Sequence, residues 1–142
     1  MEYFRSSTRG SKSLKPFNVK GRVFSGDGKG ARFIKLPWVR EQIIEKLGFI
    51  PYPGTLNIKI SEDIGELKES LKRTKEIEIS PAKGFCRGKC FKASFIDNIK
   101  CAIVIPEVEN YPKGVIEVIA STNLREKFQL KDGDMAEVKI LF

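Results

Sequence analysis

Short apolar runs separated by turn signals are the feature that most restricts what this sequence can fold into. Each run is bounded by Gly, Pro, Asn or Asp, which is typical of short β-strands. Asp97 and Asn98 are a good turn pair between two such runs. The predicted strands lie at 18–24, 32–36, 55–60, 75–80, 84–95, 99–106, 114–120 and 135–142.

Helical patterns are fewer than strand patterns. Apolar residues recur at helical spacing within 38–48, and further helices are predicted within 61–73 and 123–130. In the last of these, Asn123 and Glu126 fit a capping pair. Seven or eight short strands with two or three helices favour a mostly β fold, a small closed or nearly closed β-barrel, over a doubly wound sheet.

Charge divides the chain of 142 residues into two predicted parts. Residues 1–17 are rich in Ser and basic side chains, and they predict a loosely ordered arm; residues 18–142 predict one domain. About half of the net charge of +8 comes from the first twenty residues. A solvated tail explains the arm, and so does contact with nucleic acid; the milder positive balance of the domain suits a polyphosphate ligand.

Several chemistries are excluded because the sequence has no histidine. Ser-His-Asp and Cys-His catalysis are impossible, and any acid–base step falls to carboxylates, Lys, Tyr or Cys. The sequence has three cysteines, Cys86, Cys90 and Cys101. Their odd number argues against a disulfide framework and their spacing against a zinc site, so we expect buried thiols. No membrane-length apolar run or signal peptide is recognisable, and we expect a cytoplasmic protein.

Three glycines alternate in the segment "GDGKG" at 26–30. The segment lacks the Walker pattern, and we expect it to lead into a strand, unlike the Rossmann fingerprint. It is either the flexible tip of a hairpin or a nest of free N–H groups that binds an anion, with charge added by Lys29 and Arg32.

The predicted strand 55–60 sorts its side chains onto two faces. Its apolar face belongs to the core, whereas the other face presents the hydroxyl of Thr55 and the amide of Asn57. These hard oxygen donors suit Mg²⁺ shared with substrate phosphates, although an ordinary polar outer face has the same composition. The preceding Pro-Gly pair fixes where the strand starts and therefore where Thr55 points.

A carboxylate, Glu117, interrupts the apolar strand 114–120 and is followed by a polar strand-to-helix junction. A helix N-terminus offers free N–H groups to anions, and Arg125 in its first turn can reach a phosphate or a base. The alternative is a capped helix with an exposed Arg and a solvent-facing Glu.

Taken in order, these segments resemble the archaeal CTP-dependent riboflavin kinases. The resemblance runs from about Asn18 to Phe142, and no single segment carries it. The matching stretches are "GRVFSGDGKGARF", "LGFIPYPGTLNIKI", "AIVIPE", "YPKGVIEVIA", "NLREKFQLKDGD" and "EVKI".

The resemblance implies a cradle-loop β-barrel that transfers the γ-phosphoryl group of CTP to the 5′-hydroxyl of riboflavin, giving FMN and CDP. It implies Mg²⁺ as the cofactor, with Thr55 and Asn57 as ligands. Glu117 becomes the flavin-contacting carboxylate, and our hypothesis is that it orients or deprotonates the ribityl hydroxyl. The implied nucleotide contacts are Gly26, Asp27, Gly28, Lys29, Gly30, Ala31, Thr122, Asn123, Leu124 and Arg125.

One position departs from the family pattern. The family commonly has a flavin-contacting Thr eight residues before the Glu, where this sequence has Glu109. Glu109 is therefore carried as a candidate flavin contact. The preference for CTP rests wholly on the resemblance, because recognition of a base by backbone leaves no side-chain signature.

Two other interpretations stay open. The stretch "LREKFQLKDGDMAEVKIL" also resembles swapped-hairpin transcription factors, and the basic arm would suit phosphate-backbone binding. Against this, aromatic residues are not interleaved with the basic ones, and that function has no use for Thr55 and Asn57. A flavin-storage barrel would bind riboflavin without turnover. We expect a monomer with no membrane partner.

Overall fold

Strands dominate the computed structural model of this chain, which describes residues 17–61, 64–80, 88–106 and 111–141. Within these ranges the strands are β1 (Phe17–Phe24), β2 (Leu56–Ile60), β3 (Ile77–Ile79), β4 (Gly88–Phe95), β5 (Ile99–Pro106), β6 (Val115–Ala120) and β7 (Met135–Ile140). The α-helices in the same ranges are α1 (Lys29–Lys35), α2 (Pro37–Leu47), α3 (Ile64–Lys72) and α4 (Leu124–Lys127).

Six of these strands close into a ring. The antiparallel order is β4-β5-β6-β2-β1-β7, and pairing of β7 with β4 completes the barrel. Strand β3 pairs with β4 outside the ring. The predicted fold class is therefore confirmed: the structure is mostly β, with a six-stranded antiparallel barrel. Closure leaves the ring strands without the unpaired edges of an open sheet.

Alternation along the strands produces one core inside the barrel and a second core outside it. On β2, Leu56, Ile58 and Ile60 point inward and are buried. The second core lies where α1 and α2 cover the outer faces of β5 and β6, and Ile34 and Ile119 belong to it. The outer face of β6 is therefore shielded, which sets the surroundings of Glu117.

Helix α2 follows its sequence pattern closely. It begins at Pro37, whose missing N–H would have no partner in the first turn. It ends at Gly48, whose φ of 81° is the left-handed conformation that glycine accepts at a helix end. The Gly48 N–H donates to the carbonyl of Ile44 at 3.1 Å. These signals were sufficient to predict both ends of the helix.

The strand predicted at 32–36 is wrong, because these residues belong to or directly follow α1. Gly28 adopts φ 85° and starts the helix, and the Asp27 carboxylate accepts the Lys29 N–H at 3.0 Å. Gly30 and Ile34 are one turn apart and both are buried. A five-residue apolar run fits a strand or one face of a short helix equally well. Here the helix is selected because Gly28 adopts the positive φ that starts it.

The turn predicted at Asp97 and Asn98 is confirmed. Asp97 and Asn98 lie between β4 and β5 with φ of 59° and 60°. Asp and Asn tolerate this left-handed region better than most residues, which suits a tight hairpin. No helix in the described ranges is long and apolar enough to cross a membrane.

Two cysteines are buried free thiols, as the sequence predicted. Cys101 lies in the barrel core and Cys90 in the outer core, whereas Cys86 lies outside the described residues. Burial raises the pKa of both thiols from 9.0 to about 12. Because the folded pKa is raised, the folded state holds these protons, and the stability linked to them is lost as pH rises from 9 toward 12.

We therefore expect Cys90 and Cys101 to resist a thiol reagent at pH 8.5 in the native Cys86→Ser protein. After unfolding in denaturant, two thiols per chain should react, and this total is the internal control. The measurement is colorimetric titration with Ellman's reagent, with and without denaturant. Rapid native labelling of either thiol would contradict the burial described above.

Candidate active site

The polar residues singled out in the sequence meet on the outer face of the barrel, beside α1. Asn57 on β2 lies directly opposite Glu117 on β6 and, on its other side, opposite Phe24 at the end of β1. Thr55 lies two positions before Asn57 and contacts the same carboxylate. Strand pairing thus brings together residues that are far apart in the chain.

The Glu117 carboxylate is held by two neutral hydroxyl groups. Glu117 is buried, with 6% of its surface exposed. Thr55 Oγ1 donates to Oε1 at 2.8 Å, and the Tyr111 hydroxyl donates to Oε2 at 2.7 Å. Among the described residues, no lysine or arginine forms an ion pair with Glu117. Hydrogen bonding offsets part of the cost of burying this group.

Tyr111 is a permanent donor to this carboxylate. Burial raises the pKa of its phenol, and the hydrogen bond to Glu117 together with the Glu117 charge raises it further. Ionising the phenol would place two negative charges in contact. The Tyr111 hydroxyl therefore keeps its proton throughout the physiological pH range.

The glycine segment, residues 26–30, lies directly on these polar side chains. A side-chain carbon at Gly30 would overlap Oε1 of Glu117, and one at Gly26 would lie 2.6 Å from Nδ2 of Asn57. Gly28, between them, needs its positive φ to start α1. Two of the three glycines are thus required by close approach and the third by backbone conformation, so the segment is not a flexible hairpin tip.

Two cavities adjoin Glu117 and Thr55. The glycine cavity has a volume of about 380 Å³ and is lined by Phe24, Ser25, Gly26, Asp27, Lys29, Asn57, Tyr111, Pro112, Val115 and Glu117. The α4 cavity has a volume of about 200 Å³ and is lined by Tyr52, Gly54, Thr55, Leu56, Val118, Ala120, Thr122, Asn123, Leu124 and Arg125. The hydrogen bond between Thr55 and Glu117 joins the wall of one cavity to the wall of the other.

Asn123 holds the start of α4 at the rim of its cavity. Its Oδ1 accepts the Glu126 N–H at 3.1 Å, which confirms the predicted capping pair. Its Nδ2 donates to the Tyr52 hydroxyl at 3.1 Å. The cap therefore fixes the helix end and one wall of the α4 cavity together.

Arg125 ties α4 to the end of β1. Its Nη2 donates to the carbonyl of Phe24 at 3.2 Å, and its Nη1 lies 3.0 Å from Oδ1 of Asp132. Asp132 also accepts the hydroxyl of Ser25 at 3.0 Å. A cationic side chain of the α4 cavity is thus bonded to the residues that lead into the glycine cavity.

The predicted site residues fall into distinct groups. Thr55, Asn57 and Glu117 converge. The predicted nucleotide contacts divide, because Gly26, Asp27 and Lys29 line the glycine cavity and those from Thr122 to Arg125 line the α4 cavity. Gly28 and Gly30 line neither cavity. Ala31 lies on α1 and lines neither cavity.

The two charged side chains of the glycine segment interact with each other. Lys29 Nζ lies 3.6 Å from Asp27 Oδ2, and both side chains are exposed. The Lys29 backbone N–H is the main cause that lowers the pKa of Asp27. Glu109, the candidate flavin contact, lies outside the described residues.

Sequence reasoning missed Tyr111, Tyr52 and the partnership of Ser25 with Asp132. Tyr111 belongs to the stretch "YPKGVIEVIA", which was noted only for its overall match. Its position six residues before Glu117 carries no signal, because the chain between them turns before β6 begins.

Oxygen donors suited to a hard cation are present beside Glu117. The described residues contain no group of three or more His, Cys, Asp or Glu side chains that could hold a metal ion. Thr55 and Asn57 nevertheless offer a hydroxyl and an amide oxygen on one face of β2, and the Asn57 side chain makes no hydrogen bond within the described residues. Neutral oxygens of this kind fit Mg²⁺ that also binds phosphate oxygens.

Comparison with known proteins gives one family model and several archaeal relatives that match most of this chain. The family model CTP-dep_RFKase, described as domain of unknown function DUF120, matches residues 23–140. A riboflavin kinase of Methanosarcina barkeri is 36% identical over an alignment of 143 residues, covering 98% of this chain and 63% of the relative.

Two further archaeal proteins match similarly. A riboflavin kinase of Archaeoglobus fulgidus is 42% identical, and the alignment covers 87% of this chain and 54% of the relative. A riboflavin kinase of Pyrobaculum aerophilum is 43% identical, and the alignment covers 90% of this chain and 65% of the relative. The chain thus spans somewhat more than half the length of these curated relatives.

Proposed function

The chain belongs to the CTP-dependent riboflavin kinase family, and on that premise we propose that it phosphorylates riboflavin with CTP. The γ-phosphoryl group would pass to the 5′-hydroxyl of the ribityl chain, giving FMN and CDP. The observation that carries this proposal is the hydrogen bond between Thr55 and Glu117, which places a buried carboxylate where the glycine cavity and the α4 cavity meet.

Two substrates that react in line need two adjoining compartments. The larger glycine cavity contains the Tyr111 ring and the apolar Val115, and it suits the flavin. The α4 cavity, with Arg125 and the capped helix start, suits the nucleoside of the donor. The phosphates would then lie between the cavities, against the backbone of the glycine segment and the Thr55 hydroxyl.

The proposed reaction needs little covalent chemistry from the protein. The ribityl oxygen forms a bond to the γ-phosphorus while the bond from that phosphorus to the bridging oxygen of CDP breaks. The hydroxyl proton passes to the Glu117 carboxylate. The protein's contribution is to place the hydroxyl and the phosphate in line and to hold the carboxylate ready.

Thr55 and Asn57 are the residues that would hold Mg²⁺, which when bound neutralises charge on the donor phosphates. We expect Thr55→Val and Asn57→Leu each to raise the Mg²⁺ concentration for half-maximal activity by at least about 10-fold. Thr55→Ser and Asn57→Asp keep an oxygen donor at each position and serve as matched controls. An unaltered Mg²⁺ dependence in both variants would remove these residues as ligands.

The direct test of the proposed function is incubation of the protein with riboflavin and Mg²⁺ plus CTP, UTP, GTP or ATP in turn. Chromatography then separates FMN from riboflavin. FMN formed mainly with CTP supports acceptor, reaction and donor together. FMN formed equally with ATP would retain the kinase and reject the CTP preference, and no FMN with any donor would reject the kinase.

The basic arm is a separate question, since residues 1–16 lie outside the described part of the chain. We propose that the arm is dispensable for phosphorylation, and that any affinity for nucleic acid resides there. Deletion of residues 1–16 should preserve FMN formation. Loss of FMN formation on this deletion would place the arm in the kinase itself.

A further inference from the structure

We propose that Tyr111 is a positioning residue that presents Oε2 of Glu117 to the acceptor hydroxyl. This inference rests on the proposed function and extends it to a residue and an atom. It begins from the fact that the two oxygens of the carboxylate have different neighbours. Thr55 donates to Oε1 and Tyr111 donates to Oε2.

Oε1 faces away from the acceptor. Gly30 packs against it so closely that a side-chain carbon there would overlap this atom, while the same carbon would lie 3.0 Å from Oε2. Thr55, the donor to Oε1, lines the α4 cavity. The main chain of α1 and the Thr55 hydroxyl therefore cover Oε1.

Oε2 faces the acceptor. Its hydrogen-bond donor, Tyr111, lines the glycine cavity together with Glu117 itself. A carboxylate oxygen has two lone pairs, so Oε2 can accept a second hydrogen bond beside the one from Tyr111. The ribityl hydroxyl entering from the glycine cavity takes this place, and its proton passes to Oε2 as the phosphoryl group is transferred.

The Tyr111 hydroxyl fixes the rotation of the carboxylate. Without it, Thr55 would be the only hydroxyl group among the described residues that holds Glu117, and a single hydrogen bond allows the group to turn about its terminal torsion. A displacement of the order of an ångström at a reacting group costs about 10²-fold in rate. Tyr111 thus acts through Glu117 rather than on the phosphate.

Tyr111→Phe keeps the ring in the glycine cavity and removes only the hydroxyl. We expect kcat to fall about 10- to 100-fold. We expect the KM for CTP and the dissociation constant for riboflavin, measured by flavin fluorescence, to change less than about 3-fold, since the bond to Glu117 lies outside the α4 cavity and the ring is retained.

A double-mutant cycle separates positioning from packing. In the Glu117→Gln background, Tyr111→Phe should cause no further loss of kcat, because the oxygen that it positions no longer accepts a proton. Tyr52→Phe is the matched control: it removes a hydroxyl bonded to Asn123 in the α4 cavity, and its effect should multiply with that of Glu117→Gln.

Each outcome of these measurements supports or overturns the inference. A loss of kcat that disappears in the Glu117→Gln background supports the inference. An equal loss in both backgrounds, or unchanged kcat in an active protein, overturns it. Failure of the wild-type chain to form FMN with any donor rejects the proposed function and the inference with it, whereas an active wild type with a fully active Tyr111→Phe variant rejects the inference alone.

Discussion

Replacing Glu117 with glutamine is expected to lower kcat for FMN formation by about 10²- to 10⁴-fold, the range attributed to a positioned general base. Glutamine has nearly the same shape, so its carbonyl can still accept the Thr55 hydroxyl. Its NH₂ group cannot accept a proton from the ribityl hydroxyl. Because Glu117 lines the glycine cavity rather than the α4 cavity, the KM for CTP should change less than about 3-fold.

The measurement is steady-state kinetics with each substrate varied in turn. Glu69→Gln is the matched control, because Glu69 is an exposed residue of α3 that pairs with Lys72 at 3.4 Å, away from both cavities. A Glu117→Gln protein with unchanged kcat would exclude Glu117 as the base. A rise in the KM for CTP with kcat preserved would instead place this residue at the nucleotide.

Gly30→Ala is expected to reduce kcat by at least about 10²-fold without a comparable loss of stability. The added carbon occupies the position of Oε1, so the Glu117 side chain must turn away and give up its hydrogen bonds to Thr55 and Tyr111. Alanine favours a helix over glycine by about 1 kcal/mol, which offsets part of that cost. The free energy of unfolding should therefore change by no more than about 2 kcal/mol.

The double variant Gly30→Ala with Glu117→Ala tests the cause. Once the carboxylate is removed, alanine at position 30 should raise the free energy of unfolding by about 1 kcal/mol relative to Glu117→Ala alone, since only helix propensity remains. Denaturant titration gives both values. If Gly30→Ala retains full activity, α1 does not lie against Glu117 in solution.

Local patterns were sufficient for most elements of the fold. The alternation in β2, the two ends of α2 and the Asp97-Asn98 turn were predicted because each depends on neighbouring residues alone. The error at 32–36 has a specific cause. The helix start depends on the positive φ of Gly28 and on burial of Gly30 against Glu117, and neither is visible within a short apolar run.

The sequence supplied candidate residues for the site but not their arrangement. The family resemblance supplied Thr55, Asn57 and Glu117, and the pairing of β2 with β6 brings them together. It did not supply Tyr111, whose hydrogen bond to Glu117 depends on how the chain approaches β6, nor the division of the predicted nucleotide contacts between two cavities. Such relations are set by strand register and helix placement, which a single sequence does not encode locally.

The candidate site is held together by contacts between residues that are distant in the sequence. Thr55 and Glu117 are 62 positions apart, Arg125 bonds to a carbonyl 101 positions away, and Ser25 bonds to Asp132 across 107 positions. Long loops must close before such contacts repay their entropy, which makes them late events in folding. A nascent or partly refolded chain can thus contain many of the strands and still lack the assembled candidate site.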